Sequence, residues 1–167
     1  MTQFSIIVPT LNESENIDSL LQRLTALDCQ NGDYEIIVVD DNSADGTQNQ
    51  VRKWTNNPNI RLVERKAKPD LTASILAGVA VARSHIIVVM DADLSHPPES
   101  VPAVVSPVLK GEYDLAVGSR YIPGGNIENW PLYRKLLSRV GGWVARPICD
   151  VNDPMSGFFS FRKELIN

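Results

Sequence analysis

The chain has 167 residues, 43% hydrophobic and 22% charged, the composition of one ordinary globular domain able to bury a core, which excludes a disordered or fibrous chain. A formal net charge of -4 argues against general nucleic-acid binding, which shows as a basic excess. Cys29 and Cys149 form no CxxC and have no histidine partners in the sequence, so neither a zinc site nor a disulfide framework is expected and a reducing compartment is favoured.

Residues 4–8 form a first apolar strand closed by Pro9, with no basic region before it, so the amino-terminal segment reads as a strand and not as a signal peptide. Thr10-Leu11-Asn12-Glu13-Ser14 is its outgoing loop. Ser14 or Asn12 is placed to cap a helix whose Ile17, Leu20, Leu21, Leu24 and Leu27 follow helical spacing. Residues 34–39 make a second buried strand that runs into Asp40-Asp41-Asn42-Ser43, and Asp45-Gly46-Thr47 turns the chain into a helix reaching about Thr55. A short third strand covers residues 60–63, and after Arg65, Lys66 and Lys68 a helix spans about 70–83.

The fourth strand, residues 85–90, is β-branched and too short for a helix, and it delivers Asp91 and Asp93 at its carboxyl end. Pro97-Pro98-Glu99 suits a first helical turn, with a helix to Lys110 in spite of Pro102 and Pro107. A fifth strand covers residues 113–118 and ends at Ser119-Arg120-Tyr121. Near-continuous apolar strands alternating with helices predict an α/β fold, a mostly parallel sheet with helices on both faces. Every acidic or polar cluster follows a strand, so Asn12-Glu13, Asp40-Asp41, Asp91-Asp93 and Arg120 are expected on one sheet edge, where open α/β sheets bind their ligands.

Four carboxylates gathered there repel one another unless a cation or a ligand's donors intervene. Oxygen ligands of this kind suit Mg²⁺ or Mn²⁺, which keep several waters and take further ligands from a substrate's phosphates. Asp40 or Glu13 can accept from a base or ribose, while Asp41 is equally suited to a turn or helix-capping role. No GxxxxGK[ST] and no GxGxxG is present. Of the two histidines, His85 opens a strand and reads as structural, and His96 lies beside the Asp pair. No Ser/His/Asp arrangement can be argued.

Ile7-Val8-Pro9-Thr10-Leu11-Asn12-Glu13, Val38-Val39-Asp40-Asp41-Asn42-Ser43-Ala44-Asp45-Gly46-Thr47, Met90-Asp91-Ala92-Asp93-Leu94-Ser95-His96-Pro97-Pro98-Glu99 and Gly118-Ser119-Arg120-Tyr121 resemble the family 2 glycosyltransferases. Within that family they are most similar to the dolichyl-phosphate mannosyltransferases and their polyprenyl-phosphate relatives. The resemblance implies a GT-A fold and inverting transfer of mannose from GDP-mannose to a polyprenyl phosphate. A UDP-sugar donor, or an inactive nucleotide-binding module of a larger membrane protein, are the alternatives. Carried over by motif, Pro9, Leu11, Glu13, Val38 and Asp40 line the nucleotide, with Leu11 where the family often has Tyr. Asp91, Ala92 and Asp93 meet the metal and diphosphate, Asp91 and Asp93 as ligands of Mg²⁺ or Mn²⁺, and Arg120 sits by the phosphates. Asp93 and Arg120 are the expected catalytic residues.

Residues 130–148 carry Leu132, Leu136, Val140, Trp143 and Val144 at helical spacing, with Arg134, Lys135, Arg139 and Arg146 and no acid, a pattern suited to an anionic membrane surface. The same pattern fits a helix packed on the core with a solvated basic face. The resemblance points to Arg134 and Ser138 as acceptor-binding residues, within an acceptor- or membrane-facing segment at 122–148, and to a peripheral location on the cytoplasmic membrane face. Two departures stand out. Ala67-Lys68-Pro69-Asp70-Leu71-Thr72-Ala73-Ser74 replaces a Gly-rich stretch, and the relatives continue beyond the segment Asp153 to Arg162, so a single domain over 1–167, short at its carboxyl end, is expected.

Overall fold

In the computed structural model the described residues are 2–28, 33–119 and 156–166; Arg120, Arg134, Ser138 and the segment 122–148 lie outside them. The elements run β1 (Phe4–Thr10), α1 (Ile17–Thr25), β2 (Tyr34–Asp40), α2 (Thr47–Trp54), β3 (Ile60–Glu64), α3 (Leu71–Val81), β4 (Ile86–Val89), α4 (Val101–Leu109), β5 (Leu115–Val117) and β6 (Phe159–Arg162). Among the described residues they build one sheet in the order β3-β2-β1-β4-β6-β5. Strands β3, β2, β1 and β4 pair in parallel, whereas β6 inserts antiparallel between β4 and β5, with Val89 opposite Phe159 and Val117 opposite Phe159. The alternation of strand and helix predicts the parallel part. Phe-Ser-Phe-Arg of β6 shows no such signal, because its pairing partners are some seventy residues and some forty residues away in the chain.

Successive strand residues point to opposite faces, and that alternation divides the core in two. Phe4, Ile6, Val8, Ile36, Val38, Val88 and Met90 pack with α1, α2 and α4, through Leu20, Leu21, Leu24, Val51, Val101 and Val105. Ile7, Ile37, Val39, Ile87, Val89 and Phe161 pack on the other face against Val79 and Ile75 of α3. The α3 helix lies close to β1 because Gly78 has no side chain: a Cβ there would stand 2.6 Å from Cγ2 of Ile7.

β1 runs through Pro9 to Thr10 instead of stopping at the proline. The carbonyl of Ile7 accepts from the Met90 N–H on the β4 side, while that of Thr10 accepts from the Asp41 N–H on the β2 side. Pro9, two residues after Ile7, therefore faces the β4 side beyond the last β1–β4 pair, Ile7 with Val89, and its missing N–H removes no ladder bond. Neither Ser14 nor Asn12 caps α1. The N-cap is Asn16, with no side-chain cap bond; the Asn12 side chain instead accepts from the Ala44 N–H, and the Ser14 backbone N–H donates to Asp45. In α3 the side chain of Asp70 accepts from the Ala73 N–H at 2.8 Å and caps the helix. Pro102 sits in the first turn of α4, where no intrahelical N–H is needed, and the carbonyl of Pro107 accepts from Glu112 and Tyr113 as the helix closes.

Candidate active site

The carboxyl ends of β1, β2 and β4 lie side by side, and strand alternation sorts the acidic residues that follow them. Asp40 continues the parity of Ile36 and Val38 and points toward α2. Asp41 continues that of Ile37 and Val39 and points toward α3. The Asp40 side chain is fully buried: Oδ1 accepts from the Ser43 N–H at 3.0 Å and from Gln48 Nε2 at 2.6 Å, and Oδ2 lies 3.5 Å from the Thr10 hydroxyl. Its bonds tie the end of β2 to the start of α2.

Asp41 is 4% exposed and borders a cleft of about 200 Å³ lined by Pro9, Thr10, Leu11, Pro69, Asp70 and Ser74. Its Oδ1 accepts from the Arg65 guanidinium in an ion pair, and its Oδ2 accepts from the Asp70 N–H at 2.6 Å. The same Arg65 nitrogen also reaches the Ser74 hydroxyl at 2.9 Å and the Asp70 carbonyl at 3.1 Å. Arg65 immediately follows β3, so the pair links the ends of two neighbouring strands to the first turn of α3 and fixes one wall of the cleft. Leu11 is 44% exposed at its mouth, an apolar surface suited to a flat ring.

The loops after β1 and β2 are laced together. The Asn12 N–H donates to the Ser43 hydroxyl and Asn12 Oδ1 accepts from the Ala44 N–H, both at 2.9 Å, while the Glu13 N–H donates to the Thr47 hydroxyl at 2.9 Å. Asp45 accepts from the Thr47 hydroxyl at 2.6 Å and from the N–H groups of Ser14 and Thr47. Those donors hold its carboxyl well below the usual carboxylate range, the Thr47 hydroxyl most of all. Asn12 and Asn42 both adopt left-handed backbone, with φ of 58° and 66°, a conformation asparagine tolerates. Glu13 is half-buried, and its Oε2 accepts from Asn16 Nδ2 at 2.9 Å.

After β4, Asp91 continues the parity of Ile87 and Val89. Its carboxylate lies against the backbone of Gly157, where a Cβ would stand 1.9 Å from Oδ2 and 2.5 Å from Oδ1. Ala92 is buried, and Asp93 is exposed. Asp93 Oδ1 accepts from the Ser95 N–H at 2.9 Å and Oδ2 from the Ser95 hydroxyl at 2.7 Å, which fixes the carboxylate and leaves each oxygen a further lone pair. Leu94 between them adopts φ of 58°, a left-handed conformation that costs a branched side chain about 1–2 kcal/mol. Its side chain packs on the core, which offsets that strain.

Two carboxylates from one short loop, one seated where any side chain at 157 would displace it and the other held by Ser95, fit a divalent cation that takes its remaining ligands from water and phosphate. Among the described residues no three His, Cys, Asp or Glu side chains converge into a metal cage made by protein alone. Asp91 and Asp93 present oxygen ligands from one loop, the donor type that Mg²⁺ and Mn²⁺ favour.

Of the residues expected to line a nucleotide, the cleft brings together Pro9 and Leu11; Glu13 is on the adjoining loop, Asp40 faces α2, and Val38 is fully buried in the sheet core. The sequence names Arg65, Ser74, Ser156 and Gly157 only within longer stretches and gives none of them a role of its own, the last two lying in the segment Asp153 to Arg162 that resembles the family's acceptor-side motif. Arg65 carried one usable signal, its place as the first of three cations, with Lys66 and Lys68, at a strand's carboxyl end. His85, expected as a structural residue, has an exposed side chain and contributes through its carbonyl, which accepts from the Lys163 N–H at 2.8 Å.

The profile described as Glycosyl transferase family 2 matches residues 5–167. A dolichol-phosphate mannosyltransferase of Pyrococcus furiosus is 42% identical over 97% of this chain and 47% of its own length. One from Saccharomyces cerevisiae is 37% identical over 98% of this chain and 62% of its own length. The chain thus spans roughly half of the curated relatives it matches. The crystal structure of glucosyl-3-phosphoglycerate synthase from M. tuberculosis superposes with a TM-score of 0.73 at 27% identity, over 98% of this chain and 58% of that one. A complex of that synthase with Mn²⁺, UDP-glucose and glycerol 3-phosphate matches at a TM-score of 0.73 and 26% identity, over 98% of this chain and 57% of that one. The sheet described above is the expected GT-A fold.

Proposed function

The chain belongs to glycosyl transferase family 2, and on that premise we propose that it carries the donor site and reaction centre of an enzyme that transfers a sugar from a nucleoside diphosphate sugar to a polyprenyl phosphate. The observation that supports this most is the convergence at one sheet edge of an apolar-rimmed cleft (Pro9, Leu11, Asp41) with a two-carboxylate loop (Asp91, Asp93). A nucleoside with its diphosphate needs both. In this reading Pro9 and Leu11 face the nucleoside and Asp41 accepts from it, while Glu13, Val38 and Asp40 shape the wall behind. Asp91 and Asp93, with the buried Ala92 between them, hold the divalent ion. That ion supplies positive charge to the leaving diphosphate.

The acceptor oxygen forms a bond to the anomeric carbon as the bond from that carbon to the diphosphate breaks, with inversion, and the nucleoside diphosphate leaves with the electron pair. A phosphate monoester is largely a dianion near neutral pH, so the attacking oxygen needs no general base. Arg120 is assigned to the phosphates, and Arg134 and Ser138 to the acceptor, from their motifs. The basic amphipathic pattern of residues 130–148 supports work at an anionic membrane face, for which we propose the cytoplasmic side. Among the described residues no helix is long and apolar enough to cross a membrane.

Mannose from GDP-mannose is the donor favoured by the curated relatives' names. A UDP-sugar is the second reading, favoured by the UDP-glucose complexes of the structural neighbour. Thermal shifts with GDP, UDP, GDP-mannose and UDP-glucose, with and without Mn²⁺ or Mg²⁺, separate the two, since a ligand at 100 times its dissociation constant stabilises by about 2.7 kcal/mol. Metal-dependent stabilisation by one base is expected, and none with any of the four would end the donor-site assignment. Transfer of radiolabelled sugar to a polyprenyl phosphate then distinguishes an enzyme from an inactive nucleotide-binding module.

A further inference from the structure

We infer that Ser156 is a positioning residue for the Asp91 carboxylate: one hydroxyl ties the loop after β4 to the end of β5 and seats Gly157 beneath Asp91. This rests on the metal-site reading above. The Ser156 hydroxyl donates to the Gly118 carbonyl at 2.7 Å, accepts from the Phe158 N–H at 3.2 Å and lies 3.3 Å from Nε2 of His96. A serine hydroxyl has one hydrogen and two lone pairs, and the first two contacts use the hydrogen and one lone pair. The Phe158 carbonyl, at 3.4 Å, is a longer second acceptor for the same hydrogen, and the remaining lone pair suits a His96 ring that carries its proton on Nε2.

The surroundings hold this arrangement in place. His96 is 7% exposed and its ring lies 5.2 Å from that of Phe158, which is 1% exposed. Phe158 in turn covers Gly118, where a Cβ would stand 2.3 Å from Cδ1 of the ring. The loop from Asp91 to His96 is thus pinned at both ends by consecutive residues, Asp91 on Gly157 and His96 on Ser156. A serine serving only its own turn needs the Phe158 contact alone. The bonds to Gly118 and His96 join segments 38 and 60 residues away and are not explained by a turn. Gly118 precedes Ser119 and Arg120, so the same hydroxyl sets the carboxylate loop against the strand end that leads to the expected phosphate-binding arginine.

Partners behind a metal ligand typically alter metal affinity or activity by roughly 10–100-fold when removed. In the whole chain without metal, Ser156→Ala should speed amide exchange at residues 93–96 and 118–119 by about tenfold or more, with residues 5–8 unchanged, since local opening there no longer breaks the shared bonds. Unchanged exchange at both segments overturns the inference. In nucleotide-linked Mn²⁺ titrations the same variant should weaken Mn²⁺ binding about 10–100-fold while metal-free nucleotide binding stays as in the wild type. His96→Gln, which keeps a side-chain N–H donor, should come within about threefold of wild type; His96→Leu should match Ser156→Ala, and the double variant should be no worse than either single one. A Mn²⁺ affinity of Ser156→Ala within about threefold of wild type, or equal loss of metal-free nucleotide binding, also overturns it. Absence of Mn²⁺-linked binding in the wild type counts against the metal-site reading instead, and the exchange experiment still decides the role of Ser156.

Discussion

Replacing Asp41 with alanine removes the anion from a nearly buried pair whose side chains are 6% and 14% exposed. The Arg65 guanidinium then remains in place without its counter-charge, and the Asp70 N–H loses an acceptor at 2.6 Å. Breaking a buried pair from one side costs about 3–5 kcal/mol, and an N–H left without its partner adds about 1 kcal/mol. Arg65 keeps the Ser74 hydroxyl at 2.9 Å and the Asp70 carbonyl at 3.1 Å, and its side chain can shift toward water, so the low end applies. We expect a loss of about 4 kcal/mol, read in urea as a lower midpoint at unchanged slope, and a melting temperature lower by about 8–16 °C for a domain of this size. Asp41→Asn, which keeps an acceptor for the Asp70 N–H, should lose about half as much. A cycle with Arg65→Ala should give a coupling of about 1–3 kcal/mol. An Asp41→Ala loss below about 1 kcal/mol, or no coupling, would refute the view that this pair braces the cleft.

Glu35 is 1% exposed at the opposite, amino-terminal end of β2, where it accepts from the Ser5 hydroxyl at 2.7 Å and the Arg83 N–H at 2.6 Å beside Arg61 at 3.0 Å. Glu35→Ala should therefore cost about 3 kcal/mol in urea unfolding while nucleotide affinity stays unchanged, because the carboxylate is remote from the binding edge. Asp45 has a folded pKa below its usual 3.8, so its contribution to stability is present above about pH 4 and lost as pH falls below it. Asp45→Asn should flatten the decline of the urea midpoint between about pH 5 and pH 2.5. Asp93→Ala should abolish metal-linked nucleotide stabilisation and leave the metal-free shift intact; retained metal linkage in thermal shifts would remove Asp93 from the ligand set. The Arg23–Glu99 fork, with side chains 38% and 58% exposed, should contribute about 0–1 kcal/mol, so Glu99→Gln should barely move the midpoint at 0.15 M salt.

Local pattern made much of this protein legible. β-branched apolar runs ending in Pro9, Asp40 and Asp91 require strands, since their side chains pack on a pleated surface and resist helix formation. Helical spacing of Ile17, Leu20, Leu21 and Leu24 requires a helix with one buried face, and all four are fully buried. The parallel part of the sheet follows from strand–helix alternation, and with it the gathering of acidic loops at one edge. Even the opposite aims of Asp40 and Asp41 are implied by two-residue alternation.

What alternation cannot say is which face holds the cleft. That depends on how the helices are shared out: among the described residues α3 covers one face while α1, α2 and α4 cover the other, so Asp41 meets Arg65 and Ser74 and Asp40 meets Gln48. The insertion of β6 and the meeting of Ser156, His96 and Gly118 were likewise decided only in three dimensions. Periodicity along the chain fixes what each residue's neighbours a few positions away must do. Contacts between residues 24, 38 or 60 positions apart depend on how whole layers pack, and there the substituents at issue are single polar atoms whose worth exists only once a partner arrives.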